Sequence, residues 1–578
     1  MKLHKYVPAL PLLFIGTNLS IAADQNGYTA QYECRAGGPS CNVDVNRLAN
    51  QACDQVITPS TPWSSINWSN NTICLEAGDH TWKGTLTIPQ GTNGSASNYK
   101  VLRYYRPNDN NDDPWNQGNN QAKVLRLQVN DSDYWLIHRL TFPPHNYNDW
   151  HVMFYDAVQN VIVNRILIEG PGSNDVCQHG VNNLGNNGAS AYITVQNSVV
   201  RNLLRCTFGS PIGISFEAGT NHRIVNNQVY NWSEHEIQTG NDNIPWMDGT
   251  VVENNDVYKD SAIYDQYGNA CGGWLISTKA RSSSGSNPVR IIHNRMSGAR
   301  PQSSACGTPD SGHATGGVSN TNGRTHQHFI WKNNIITDSH GGMAFYNFEP
   351  QRESVIGNIF YDIGPKGTTP WSYVMSLYSV RSIEIYFNTI IGARKGTGSG
   401  IFGEWNSGQE YFDIRCNAFL DSDASSPVVP AATSVADNSV FYSTPPLSFN
   451  GTNSNITRTI ATRANNAYYN AGTVMRRTSN FSSCTAANSP DCFLYVADNS
   501  GNSGDAEPAY AVALGETFQD GGVTWRAIRG PYVYYRKLRT GAAEHVIPYA
   551  RVHSGAPEAR ACPADYASRR GIGINDEM

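Results

Sequence analysis

The feature that most restricts this chain is a loose repeat between Arg223 and Arg300. Three times an aliphatic residue is followed three positions later by Asn, and two positions after that by Val or Met. The copies are Ile224–Asn227–Val229, Val252–Asn255–Val257 and Ile291–Asn294–Met296. The frame extends in both directions through Asn164, Asn197, Asn333, Asn358, Asn388 and Asn417, with spacings of 25 to 39 residues. The runs between these asparagines are short and β-prone, such as Ile383-Glu384-Ile385-Tyr386-Phe387, and show no helical period. One such unit cannot bury its apolar face alone, so the units must stack. Stacked turns with inward aliphatics form a parallel β-helix. An Asn at the same bend of every turn can hydrogen-bond its counterparts above and below. The expected fold class is therefore all-β, a parallel β-helix of roughly ten turns.

The rest of the chain divides around that solenoid. Residues 1–22 read as a signal peptide, with Lys2 and Lys5, an apolar run from Tyr6 to Ile15, and Ser20-Ile21-Ala22 for cleavage. The mature protein is then expected to be secreted or periplasmic, with no membrane association. Residues 23–84 form an N-terminal cap region. Within it Val45, Leu48, Ala49, Ala52 and Val56 fall at helical spacing and suggest a short helix over the solenoid's open end. The β-helix is expected over 85–430, and 431–578 reads as a C-terminal β-rich extension. There Asp520-Gly521-Gly522-Val523-Thr524-Trp525 suggests a hairpin, with Trp525 filling a small core or stacking on sugar.

All 12 cysteines follow the leader. An even number in an exported chain suggests disulfides. Nearest-neighbour pairing gives Cys34–Cys41, Cys53–Cys74, Cys177–Cys206, Cys271–Cys306 and Cys484–Cys492, and leaves Cys416 with Cys562. No CxxC pair exists, which argues against a zinc site.

Net charge is only −5, so no global field favours nucleic acid. Locally the balance differs. From Gln266 to Asp338 the only acid before Asp338 is Asp310, while Lys279, Arg281, Arg290, Arg295, Arg300, Arg324 and Lys332 are all present. This span suits an acidic polysaccharide partner, gripped by a monomer. With aliphatics inward, outward residues on neighbouring turns stand about 4.8 Å apart. Glu217, Glu236, Lys279 and Tyr346 then share one face. Alternation puts Leu275, Ser277 and Lys279 on one face and Trp274, Ile276 and Thr278 on the other and leaves the inward face open; Trp274 and Ile276 inward is favoured and leaves Lys279 over the groove, with Arg281, Glu217, Tyr346 and Trp274 as candidate substrate-binding residues. For β-elimination, Lys279 is the candidate base, with Arg281 and Arg300 supplying positive charge and His340 a further candidate at a turn. For hydrolysis two carboxylates must flank the bond, and Glu236 with Glu217 or Glu234 is the candidate pair. A non-catalytic glycan-binding protein is the third possibility.

The repeat resembles that of the right-handed parallel β-helix proteins of the pectate-lyase-like superfamily, over about residues 85 to 430. That resemblance implies a secreted lyase, hydrolase or epimerase acting on polysaccharides. Glu234-His235-Glu236-Ile237 also resembles the Glu-x-Glu calcium motif of the alginate lyase and chondroitinase B family. This would make Glu234 and Glu236 ligands of Ca²⁺. That family's catalytic Lys lies five residues after the second Glu, where this chain has Asn241. Its catalytic Arg lies one turn later, where this chain offers Lys279. The paired aspartates, Gly-His-Gly and Arg-x-Lys of polygalacturonases are absent from the basic span, as is the epimerase signature Asp-Pro-His-Asp.

Overall fold

A computed structural model describes residues 43–105, 121–172 and, apart from connecting stretches such as 261–272 and 302–311, 176–420. It also describes strands at 435–437 and 440–442, most of 461–529, and strands at 532–540 and 543–551. The expected leader and the cysteines at 34, 41, 271, 306, 416, 484, 492 and 562 lie outside these residues.

The repeat forms three long parallel sheets. We name them the side sheet (14 strands), the back sheet (13) and the front sheet (11). One turn runs through a front strand (Ile212–Phe216), a side strand (Arg223–Val225), the asparagine bend, and a back strand (Gln228–Trp232). The next front strand, His235–Gly240, follows after two residues. The architecture is the expected right-handed parallel β-helix. It begins earlier than residue 85, because the side sheet starts with Gln55–Ile57, and the back sheet ends at Val440–Tyr442.

Register explains the core. Each sheet sends one file of side chains inward: Ile214, Ile237, Ile276, Thr315 and Met343 from the front, and Ile224, Val252, Ile291, Trp331 and Val355 from the side. From the back come Val229, Val257, Met296, Ile336 and Phe360. All but Thr315 belong to one continuous buried cluster. Each fully buried aliphatic there contributes about 1.5–3 kcal/mol.

The asparagine bend carries two ladders. On the inner one, the backbone N–H of each Asn donates to Oδ1 of the next: Asn227 to Asn255 (2.9 Å), Asn255 to Asn294 (3.0 Å) and Asn294 to Asn334 (3.0 Å). Asn334 continues to Asn358 and Asn358 to Asn388, both at 2.9 Å. The outer ladder joins Asn164, Asn197, Asn226 and Asn254 through their amides. Asn197, Asn226 and Asn254 have φ of 52°, 55° and 57°. Asn tolerates that left-handed conformation better than most residues. Asn333 (φ 54°) has the same conformation, so the inner rung expected at Asn333 is supplied by its neighbour Asn334. Asn417 lies outside the described residues.

The N-terminal helix is shorter than expected and placed differently. It spans Val45–Ala49, with Asp44 accepting from the Arg47 N–H at 2.9 Å. Val45 and Leu48 pack with Tyr99, Val101, Leu136 and Ile162. Val101, Leu136 and Ile162 are register partners on the outer face of the side sheet, so the helix lies on its flank. Val56 belongs to a strand instead. The expected bridges Cys53–Cys74 and Cys177–Cys206 are present, with Cα separations of 5.8 and 5.0 Å.

In the C-terminal region, Thr517–Asp520 and Val523–Arg529 form the expected hairpin within a five-stranded sheet. Trp525 is fully buried against Tyr469 and fills a small separate core. Sugar stacking at Trp525 is thereby ruled out.

Candidate active site on the front sheet

A short side strand separates each front strand from the asparagine bend, and Lys279, Glu217 and their outward neighbours lie on the front sheet. Its outward file runs Gln128, Met153, Asn182, Ser215, Gln238 and Ser277 in continuous register. Asn182, Ser215, Gln238 and Ser277 form a four-residue polar floor. All four are buried although they point away from the core. Among the described residues, Asn182 Oδ1, Ser215 Oγ and Ser277 Oγ make no hydrogen bond. A buried hydroxyl or amide without a partner is costly, so this file differs from the satisfied asparagine file.

Lys279 stands at the trailing end of this floor, in register with Gly240 on the strand below. The row continues down to Glu217, since Phe216 pairs with Thr239. Glu217 and Lys279 are thus two rungs apart, about 9.6 Å. Gly240 between them has φ 80°, and a Cβ there would lie 2.5 Å from backbone atoms of Lys279 and Ala280. Only glycine fits, so no side chain fills the gap between the acid and the amine. Tyr346 lies two rungs above Lys279 in the same row, where Val318 pairs with Tyr346.

Lys279 is partly exposed at that end of the file. His235 sits beside Trp274 in the register, about 16 Å along the strand from Lys279. Yet the charge of Lys279 acts on the His235 ring. Burial above all, then Lys279 and Lys259, push His235 down to about 3, so it is a neutral imidazole at ordinary pH. Glu234 Oε1 stands 3.9 Å from His235 Nε2.

Arg281 stacks on the Trp246 ring at 3.9 Å, and Trp246 is 40% exposed. Arg281 thus presents a guanidinium–indole platform two residues beyond Lys279, at the trailing rim. Trp246, His235 and the polar floor were missed by the sequence reading. Only the period-2 alternation of the floor residues could have suggested them.

Several expected site residues are placed elsewhere. Glu236 points inward. It is fully buried, and its Oε1 accepts from Lys259 Nζ at 2.8 Å and from the Trp232 N–H at 3.2 Å. Burial pushes its carboxyl up to about 8, against the pull of Lys259. The physical reason is the corner. The front strand follows the back strand after two residues, and Glu234 there has φ 68°. The turn resets the alternation, so Glu236 and Ile237 both face the interior. On the turn above, Leu275 and Ile276 both join the core. Glu236 is therefore neither a catalytic carboxylate on the groove nor a calcium ligand. Glu234 and Glu236 diverge, so the Glu-x-Glu pair does not fit Ca²⁺. Among the described residues, no group of three or more His, Cys, Asp or Glu is placed to hold a metal.

Trp274 is buried at the leading edge against His313, with ring centroids 5.5 Å apart, and offers no open stacking face. Arg300 also lies at the leading edge, where its carbonyl accepts from Gly273 N–H. Its guanidinium donates to the Asp338 carbonyl (2.6 Å) and Oδ2 (3.1 Å). Gly273 is six residues from Lys279 on an extended strand, about 20 Å, so Arg300 does not flank Lys279. His340 is buried at the same leading corner, where its carbonyl accepts from Ser372 Oγ. It stands by His313, at the opposite end of the front strands from Lys279. Glu217 and Glu234 stand at opposite ends of their strands, also about 20 Å apart. Hydrolysis needs carboxylates about 5–9.5 Å apart, so no pairing of Glu217, Glu234 and Glu236 provides it.

No family model matches the chain, and no curated protein matches it. Similar solved structures include a mannuronic acid-specific polysaccharide family 6 lyase from human gut microbiota. It is 12% identical over 69% of this chain and 91% of that one, with TM-score 0.44. The A-module of mannuronan C-5 epimerase AlgE6 from Azotobacter vinelandii is 13% identical over 70% and 99%, with TM-score 0.38. Tailspike gp49 of Acinetobacter baumannii bacteriophage Fri1, a capsular polysaccharide depolymerase, is 9% identical over 86% of each chain, with TM-score 0.32.

Proposed function

We propose that the chain is an exported polysaccharide lyase that cleaves an acidic, uronate-containing glycan by β-elimination on the front sheet. The observation that carries this reading is the outward polar file with Lys279 at its trailing end. The floor's unpartnered oxygens suit sugar hydroxyls. Arg281, stacked on Trp246, is the candidate to face the uronate carboxylate, whose charge must be neutralised before the neighbouring C–H becomes acidic. Lys279 in its amine form removes the C5 proton. The electron pair of that bond forms the C4–C5 double bond, the C4–O bond breaks, and the departing oxygen takes up a proton. No step uses Ca²⁺, because the residues expected to hold it do not converge.

The test is a product assay. Alginate, pectate, glycosaminoglycans and sulfated algal glycans are incubated with the protein, and ultraviolet absorbance is followed alongside reducing ends. A lyase raises both, because its product carries a conjugated double bond. Reducing ends without absorbance would replace this reading with hydrolysis, and neither signal would leave a binding protein.

A further inference from the structure

A second aromatic cluster occupies the same face nearer the N-terminus. Trp150 begins and Tyr155 ends one front strand, and about 16 Å of extended backbone separates them. Their rings nevertheless meet at 6.1 Å, edge to face. This requires both side chains to converge over the outward face, above Met153. Arg126, on the neighbouring front strand, lies 5.4 Å from the Tyr147 ring and 5.6 Å from the Trp150 ring. Tyr147 is 57% exposed, an unusual position for a large aromatic side chain.

Asp149 takes one Arg126 amine, and among the described residues Arg126 Nε and His145 Nε2 are buried with no hydrogen-bond partner. His145 is tilted against Tyr147 at 5.7 Å. Burial first, then Arg126, pushes His145 down to about 4, so the ring is neutral. Because Arg126 is already matched by Asp149, the cluster is close to electroneutral. Its chemistry is aromatic faces ringed by neutral and paired hydrogen-bonding groups. This fits the C–H face and hydroxyls of a pyranose ring better than it fits an isolated anion.

We infer that Tyr147, Trp150 and Tyr155, with Arg126, form a second sugar-binding station on the front sheet. It lies four rungs from the Lys279 strand, about 19 Å. It would hold a distal ring of the same glycan chain that Lys279 attacks, and in that respect it rests on the function proposed above. Two stations on one rigid sheet bind a polymer more tightly than either alone.

The experiment measures retardation of the full-length protein in native gels containing alginate, pectate, chondroitin sulfate, xylan or laminarin. Lys279→Ala protein is used so that the polymer is not consumed. Adding Tyr147→Ala should weaken binding of the retarding polymer about 2- to 30-fold, and Tyr147→Trp should preserve it. An unchanged melting temperature confirms that Tyr147→Ala folds. Undiminished binding in Tyr147→Ala overturns the station, as does the absence of retardation by all five polymers. The two proposals fail separately. If no polymer yields an unsaturated product but Tyr147→Ala still weakens binding, the lyase reading falls and the station stands. If product forms and Tyr147→Ala binds as its parent does, the reverse holds.

Discussion

The asparagine bend and the front-sheet floor are both files of buried polar side chains stacked one per turn, yet they are satisfied in opposite ways. At the bend, Asn294 Nδ2 donates to the Val252 carbonyl and to Asn334 Oδ1, while its own Oδ1 accepts from both nitrogens of Asn255. On the floor, Ser215 Oγ and Ser277 Oγ are as deeply buried but have no protein partner. A file whose members satisfy one another holds turns together. A file whose hydrogen-bonding capacity is left over is available to something else. Burial and polarity alone do not separate structure from function here; the bookkeeping of partners does.

Substitutions at three positions would break or sharpen that contrast. The largest effect is expected at the edge of the unsatisfied file. Lys279→Ala should lower the elimination rate by roughly two to four orders of magnitude, with melting temperature retained. Lys279→Arg should not restore the rate if Lys279 is the base, because Arg stays protonated. Steady-state kinetics decide this, and a wild-type rate in Lys279→Ala would remove Lys279 from the chemistry. Next comes the satisfied file. Asn294→Ala strands the Asn255 donors and the Val252 carbonyl, and should cost about 3 kcal/mol in denaturant unfolding. A loss below about 0.5 kcal/mol, the range of ordinary surface changes, would mean that the ladder does not hold the turns. The smallest effect on stability is expected at Ser277→Ala, within about 0.5 kcal/mol of wild type, because no hydrogen bond is lost. The same change should weaken glycan binding by about 2- to 10-fold, read by calorimetry. A Ser277→Ala protein as unstable as Asn294→Ala would erase the distinction between the two files.

The site was partly legible in the sequence. Lys279 and Glu217 do share one outward row, and Tyr346 occupies the same row by register, because alternation within a strand is strict. Arg281 does lie beside Lys279, being two residues along the chain. Arg300 was grouped with them by the local excess of positive charge, but charge in sequence carries no direction, and Asp338 holds it at the far edge. Glu236 was misplaced because alternation was carried through a corner. His235, Trp246, Trp150 and Tyr155 were invisible as site residues. Their relevance depends on side chains that lean over neighbouring strands, and no sequence period records that.

What the sequence determined by itself is the solenoid. Aliphatics in a repeating frame around Asn require stacked turns, and the even, closely spaced cysteines indicated Cys53–Cys74 and Cys177–Cys206. These rest on rules that act within a strand or between adjacent turns. Tertiary structure alone decided that Asn334 takes the ladder rung instead of Asn333, that Glu236 turns in to Lys259 while Glu234 stays at the rim, and that the floor's hydroxyls have no partner. Each of these depends on how the chain rounds a corner. A one-residue change in phase there exchanges inside for outside, and the residue types on either side of the corner permit both.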